Sequence, residues 1–372
     1  MDNVIFFQVL SVSPSREKVE GVFRYVETAP WRVNVVMANA RPSEVRNLIR
    51  RCKPVGCIVE RGLSSARIPR RLFANIPVVY IDQRPVPGDK AEWCVCNNST
   101  ASVQMAFVEL ERGSPASYAF VRDMRRKIWN EEREREFLRL ASGKTCFILD
   151  ESLSLTERLA ELPKPCGLLA ATDAVARKAI DAAHLAGIEM PDELRIVGIN
   201  NDTFICEFSN PTITSVHPDF EECGYIAMEA LHKIVENPDA EPRVLFFGPK
   251  GLVRRASSRL LRCRDARVIR ALDYIETHYR DPEIDSGKVA GVMECSRSLA
   301  DLRFKQATGR TIREEIQSLR IERAKQLLMN PRRIISAVPA LCGFLSQTTF
   351  MRFFKTKTGM TMSEYRRAHS GA

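Results

Sequence analysis

Apolar and polar positions follow two rhythms along this chain. Through the first 250 residues, short apolar runs alternate with longer stretches whose apolar residues recur at helical spacing. The runs at Val4–Val12, Val33–Met37, Val55–Glu60, Ile76–Asp82 and Trp93–Cys96 predict strands, with helices at Glu17–Val26, Pro42–Cys52 and Ser99–Arg112. A second set follows, with strands at Tyr118–Val121, Thr145–Leu149, Gly167–Ala171 and Arg195–Ile199. Its helices are predicted at Asn130–Leu140, Leu155–Ala160 and Asp173–Ala186. Strands that read as unbroken apolar runs, alternating with amphipathic helices, imply parallel sheets covered on both faces. Two sets in succession imply an α/β domain of two lobes spanning 1–258. From about residue 265 to 372 only the helical rhythm remains, which implies a second, all-α domain.

That second domain carries a repeat. Arg303-Phe304-Lys305-Gln306-Ala307-Thr308-Gly309-Arg310-Thr311 is echoed by Phe353-Phe354-Lys355-Thr356-Lys357-Thr358-Gly359-Met360-Thr361, with Phe, Lys, Thr, Gly and Thr recurring at an offset of 50 and Glu314 matched by Glu364. A short apolar helix and a turn precede each copy. Helix, tight turn and a second helix with a polar outer face is the plan of a helix-turn-helix, whose second helix lies in the DNA major groove. In the first copy Ala300, Phe304 and Ala307 form the inner stripe, leaving Arg297, Ser298, Asp301, Leu302 and Lys305 outward. In the second, Phe350 and Phe354 face in, and Gln347, Thr348, Arg352 and Lys355 face out. Arg reads guanine, Gln reads adenine, and Ser or Thr serves either. Ser346 suits a helix N-cap, Gly309 and Gly359 suit left-handed C-caps. Between the copies, Ile312, Ile316, Leu319, Ala324, Leu327 and Leu328 make the stripe of a long helix that Pro331 closes.

Charge sharpens this division. Residues 251–372 hold 24 Lys and Arg against 12 Asp and Glu, leaving 32 against 34 for residues 1–250, so the +10 of the whole chain comes from its last third. A basic small domain joined to a nearly neutral large one points to a polyanion partner, here double-stranded DNA. Other classes lose ground. The chain shows no Gly-rich phosphate loop, no Gly-x-Ser-x-Gly elbow and no His-Glu-x-x-His, and its 5 His are dispersed, so an enzyme is disfavoured and no cofactor is expected. The 11 Cys are scattered, with Cys94 and Cys96 the one close pair, which favours reduced structural thiols over disulfides or a metal site. No apolar run is long enough for a membrane span and no signal peptide is evident, so a cytoplasmic protein is expected. In open α/β sheets ligands lie at the C-terminal ends of strands. That rule nominates Asp82, Asn97, Asn98, Asp123, Asp173, Asn200, Asn201 and Asp202, each of which serves equally well as a helix cap.

Residues 268–367 resemble the DNA-binding domain of the AraC/XylS family of transcription regulators. The likeness rests on Cys295-Ser296-Arg297-Ser298, Phe304-Lys305 with Gly309-Arg310-Thr311, Arg320 with Arg323-Ala324 and Leu327-Leu328, Cys342-Gly343-Phe344, and Phe350 to Lys355 with Gly359-Met360-Thr361 and Glu364-Tyr365-Arg366. The pattern departs from the family at Leu302, usually basic there, at Ala300, usually Leu, and at Glu294, which replaces the turn glycine. Pro339 adds a fourth departure, harmless in a first helical turn and a kink any deeper. Residues 1–256 resemble the effector domain of the LacI/GalR family through Ala171-Thr172-Asp173, Pro191 to Asp202 and Pro211 to Val216. That resemblance implies a periplasmic-binding-protein-like fold and a monosaccharide site. It puts the sugar-contacting residues at Asn200, Arg133, Asp173 and either Asn97 or Asn98, with Trp129 beside Glu132-Arg133-Glu134 in the pocket lobe. Read from the residues alone, Arg133 can instead pair with Glu132 or Glu136, and Trp129 either stacks on a sugar or belongs to the core. Together the resemblances imply a sugar-responsive activator of carbohydrate-use genes, a homodimer on an operator, with RNA polymerase as a further partner. The competing expectation is a regulator whose effector domain has lost its ligand and serves as a dimerisation scaffold.

Overall fold

The first strand shows why the apolar runs are unbroken. In the computed structural model, which describes residues 2–8, 13–37, 40–61, 68–73, 75–82, 92–124, 128–150, 154–259, 265–329 and 334–369, β1 (Asp2–Gln8) buries both its faces. Val4 and Phe6 pack in one core and Ile5 and Phe7 in another, on opposite sides of the same sheet. Of the stretch expected to be strand, residues 9–12 lie outside the described residues. The contacts divide the chain into Met1–Glu189 with Ile196–Leu252, and Met190–Arg195 with Val253–Ala372.

The first unit continues with α1 (Ser13–Val26), β2 (Trp31–Met37), α2 (Pro42–Cys52), β3 (Gly56–Glu60), β4 (Val78–Ile81) and β5 (Trp93–Asn97). Next come α3 (Ser99–Glu111), β6 (Ser117–Arg122), α4 (Ile128–Leu140), β7 (Cys146–Asp150), α5 (Leu155–Glu161), β8 (Cys166–Ala170) and α6 (Asp173–Leu185). The unit closes with β9 (Leu194–Ile199), α7 (Thr203–Glu207), β10 (Thr214–Pro218), α8 (Phe220–Glu236), β11 (Val244–Phe247) and β12 (Pro249–Val253). One six-stranded sheet has the order β11-β5-β4-β3-β1-β2, the other β12-β10-β9-β8-β6-β7. Every ladder of the first sheet is parallel.

The expectation that the lobes form in succession needs correction. After β10 the chain returns to the first lobe, where Phe220, Cys223, Ile226, Ala227 and Leu231 of α8 join Val4, Phe6 and Ile58 in one core and β11 extends the sheet. It then crosses once more to add β12 to the second lobe. Three strands of backbone therefore connect the lobes, after β5, after β10 and after β11. They are laced together where Asn98 N–H donates to the Phe247 carbonyl and Asp219 N–H to the Gly248 carbonyl, both at 2.9 Å. Helices α1 and α8 meet closely enough to require glycine. A Cβ on Gly21 would fall 1.8 Å from the Glu221 carbonyl oxygen, and one on Gly224 would fall 1.9 Å from that of Lys18.

The second unit is helical: α9 (Ala266–His278), α10 (Ser286–Val292), α11 (Arg297–Thr308), α12 (Ile312–Met329), α13 (Val338–Leu341), α14 (Gln347–Thr358) and α15 (Met362–His369). Its core comes in two clusters. One joins Val268, Leu272, Val289, Met293, Phe304 and Ile312, the other Ala324, Leu328, Val338, Phe350, Phe354 and Met362. Helix α12 contributes Ile312 and Ile316 to the first and Ile321, Ala324, Leu327 and Leu328 to the second, so one helix anchors both. Pro331, the expected stop, lies outside the described residues. Among those residues no helix is long and apolar enough to cross a membrane.

Candidate nucleic-acid interface and ligand cleft

Most residues of the repeat turn out to be helix punctuation. Ser296 accepts from Leu299 N–H (3.4 Å) at the start of α11, and Ser346 from Thr349 N–H (3.3 Å) at the start of α14. Each helix ends on a left-handed glycine, Gly309 at φ 78° and Gly359 at φ 76°, whose N–H returns to the carbonyl of Lys305 or Lys355. The Thr308 hydroxyl donates to the Phe304 carbonyl and that of Thr358 to the Phe354 carbonyl, both at 2.8 Å. The recurring Thr and Glu form capping boxes at the next helix. Thr311 N–H donates to the Glu314 carboxylate at 2.8 Å while Glu314 N–H donates back to the Thr311 hydroxyl, and Thr361 with Glu364 repeats the arrangement.

Except for the recurring Lys305 and Lys355, the residues of the open face differ between the copies. Arg297, Ser298, Leu302 and Lys305 are exposed on α11, and Gln347, Thr348, Arg352 and Lys355 on α14. Asp301 is half-buried, its carboxylate accepting the N–H of Ile312 at 3.4 Å at the head of α12. Both turns follow one hydrogen-bond pattern, Glu294 N–H to Gly291 and Gly343 N–H to Ala340. Glu294 is left-handed at φ 53° and Gly343 at φ 77°. Pro339 stands in the first turn of α13, where it breaks no helical hydrogen bond. That helix is a single turn of 4 residues against 7 for α10, so the second unit has the weaker supporting helix.

In the α/β unit, the nominated polar residues lie at the C-terminal ends of the strands. Arg133 is buried, its guanidinium centred 4.7 Å from the Trp129 ring, and it donates to the carbonyl of Ala171 just past β8. Trp129 and Arg133 are four residues apart on α4, which places them on one helix face. Arg133 makes neither of the pairs with Glu132 or Glu136 that the sequence allows. Glu136 is engaged by Arg139 at 2.7 Å and Gln104 at 2.8 Å. Burial lowers the Arg133 pKa to about 10, with Asp173 and Asp82 as the main charges opposing that fall. The group therefore stays charged at neutral pH, and its Nε has no hydrogen-bond partner. Buried charges of this kind concentrate at functional sites, which makes Arg133 a candidate.

The remaining second-lobe residues build the rim. Asp173 is buried, one carboxylate oxygen accepting from the Ser215 hydroxyl (2.5 Å) and the other from Asp202 N–H (2.7 Å). It braces the loop after β9, under Gly198, where a Cβ would fall 2.3 Å from its carboxylate. That loop turns through left-handed Asn200 (φ 126°) and Asn201 (φ 52°). Asn201 buries an amide oxygen with no hydrogen-bond partner, so it joins Asn200 as a candidate that the resemblance passes over. At the crossover, Asn97 ends β5 and is buried, whereas Asn98 caps α3 by accepting from Ala101 N–H at 3.0 Å.

The first lobe contributes a charged cluster absent from the resemblance. Lys18, buried in α1, bridges Glu60 at the end of β3 and Asp82 just past β4, both at 2.6 Å. Burial opposes its charge, but the Asp82 and Glu60 carboxylates outweigh it and hold the ammonium above its usual range. Asp82 is left-handed at φ 58° and its side chain remains partly exposed. The strand-end rule names Asp82. No spacing in the sequence links it to Lys18, 64 residues away.

The periplasmic binding protein-like domain profile matches residues 111–258 and a helix-turn-helix domain profile matches residues 289–368. A xylose operon regulatory protein from Haemophilus influenzae is 30% identical over 287 residues, spanning 73% of this chain and 74% of that protein. Its namesake in Escherichia coli K12 is 27% identical over 292 residues, spanning 74% of each. Among solved structures, the xylose-binding transcription activator xylR aligns over 99% of this chain and 98% of its own, with a TM-score of 0.58 and 23% identity. Fold and domain order are therefore shared along the whole length.

Proposed function

The chain belongs to the family of the xylose operon regulatory proteins, DNA-binding transcription regulators with a ligand-sensing domain, and from that premise we propose that its effector is a monosaccharide, a pentose such as xylose, bound between the lobes. The observation that carries this reading is Arg133, a buried guanidinium stacked on Trp129 among the strand ends of the second lobe. A guanidinium donates to vicinal hydroxyl pairs, and Asn200 and Asn97 each offer an amide that both donates and accepts. Trp129 packs against the second-lobe core and under the Arg133 guanidinium, so its part in this reading is to hold that group in place. Asp173 and Asn98 act through the loops they hold, and Asp82 faces the ligand from the first lobe.

In this mechanism the sugar favours the closed lobes by contacting both at once, and so shifts a pre-existing equilibrium. Rotation about the three crossovers changes the spacing of the DNA-binding domains in a homodimer. Arg297, Ser298, Lys305, Gln347, Thr348, Arg352 and Lys355 contact the operator, with Asp301 holding α11 in place. The protein works in the cytoplasm as an activator that meets RNA polymerase at the promoter, and no catalytic role is proposed for it. A thermal-shift screen of pentoses, hexoses and sugar acids tests the sensor: xylose raises the melting temperature, and a blank across the panel refutes sensing. Titration calorimetry of Arg133→Ala and Asn200→Ala then locates the pocket. Each lost partner costs ~1–3 kcal/mol, a roughly ten- to hundredfold weaker Kd. Unchanged affinity in both variants would put the pocket elsewhere.

A further inference from the structure

The two reading helices present different chemistry at matched positions. On α14 the open face carries Thr349 and Arg352; fifty positions earlier, on α11, the same places hold Leu299 and Leu302. Leu302 is 56% exposed and Leu299 38%, while Ala300, Phe304 and Ala307 do the packing on the inner side. An exposed leucine on its own is ordinary. Here two stand three residues apart on one helix face, between Arg297 and Ser298 at the head of the helix and Lys305 further along, all exposed. Arg297 and Lys305 thus flank a small apolar patch, in a domain whose net charge is strongly positive.

Among the groups a major groove exposes, one is apolar. Guanine, cytosine and adenine offer hydrogen-bond donors and acceptors there, whereas thymine adds its 5-methyl group. We propose that Leu302, backed by Leu299, reads a thymine methyl, so that the first unit selects a thymine-bearing half-site and the second, through Arg352, a guanine-bearing one. This rests on the reading that α11 and α14 both enter the groove, and it names what the first of them recognises. Contact with a leucine removes the methyl from water, and losing that burial weakens binding by about three- to fivefold.

Uracil in place of thymine removes that methyl and leaves every hydrogen-bonding edge intact. The probe is the duplex that full-length protein enriches from a random pool, with each thymine replaced in turn by deoxyuridine and binding followed by fluorescence anisotropy at fixed salt. The expected result is at least one position where wild-type binding falls about three- to fivefold, where Leu302→Ala shows no further loss, and where Arg352→Ala keeps the full loss. Leu302 is exposed, so its alanine variant should melt as the wild type does. The proposal is overturned if no uracil substitution matters, or if the same loss persists in Leu302→Ala. A pool that yields no enriched duplex refutes groove reading itself, and this proposal with it.

Discussion

The two helix-turn-helix units are near copies in what holds them up and unlike in what they show to solvent. Both start on a capping serine, end on a left-handed glycine and hand over to the next helix through a Thr–Glu box. The outer faces diverge, with Leu302 against Arg352, Leu299 against Thr349 and Arg297 against Gln347. Apart from Lys305 and Lys355, which recur on the open face, recurrence in this chain marks the caps and the core, and difference falls on the exposed faces. The turns add a second contrast. Glu294 accepts a left-handed conformation in the open, its side chain 73% exposed. Gly343 sits against the backbone just past α9, where a Cβ would fall 2.7 Å from the Arg280 carbonyl oxygen.

Substitutions at the turns test this contrast most severely. Gly343→Ala combines left-handed strain of ~1–2 kcal/mol with a backbone clash, so urea melts should show a loss above about 2 kcal/mol. Near-neutrality there would mean the second turn is no tighter than the first. Arg352→Ala should lower the preference for the selected duplex over random DNA by about 1–3 kcal/mol. Equal loss on both DNAs would demote Arg352 to a phosphate contact. Lys355→Ala should weaken both alike and reduce the slope of log K against log salt by about one. Thr311→Ala and Thr361→Ala should each destabilise by roughly 1 kcal/mol, and to similar extents, since their boxes match. Glu294→Gly, the smallest change, should gain a few tenths to ~1 kcal/mol by relieving the left-handed turn. A loss there would show that the weak pair with Arg270 at 3.9 Å outweighs the strain.

How much of this was legible depended on whether the controlling interaction was local. Helices and strands followed from spacing because apolar periodicity is set by a residue's immediate neighbours, as at Pro42–Cys52, where expected and observed bounds agree. The Trp129–Arg133 stack was within reach for the same reason, being an i, i+4 pair. The return of the chain to the first lobe was not, since which sheet β11 joins is decided by pairing with β5, about 150 residues earlier. Lys18 with Glu60 and Asp82 was hidden likewise. Asp301 shows a different limit. Periodicity put it on the open face, and a hydrogen bond to the next helix draws it partly in.

The three crossovers bear on how the sensor comes into being at the ribosome. Neither lobe is a continuous piece of polypeptide, and the core of the first is unfinished until Phe220, Leu231 and Phe247 have emerged. By then every helix of the second lobe has already been made. The amino-terminal sheet must wait through the synthesis of its neighbour with one face covered only by α1, for roughly 6–30 seconds at ordinary elongation rates. Nascent chains stalled before residue 220 should therefore leave that sheet open to chaperones and proteases, and chains released beyond 253 should not.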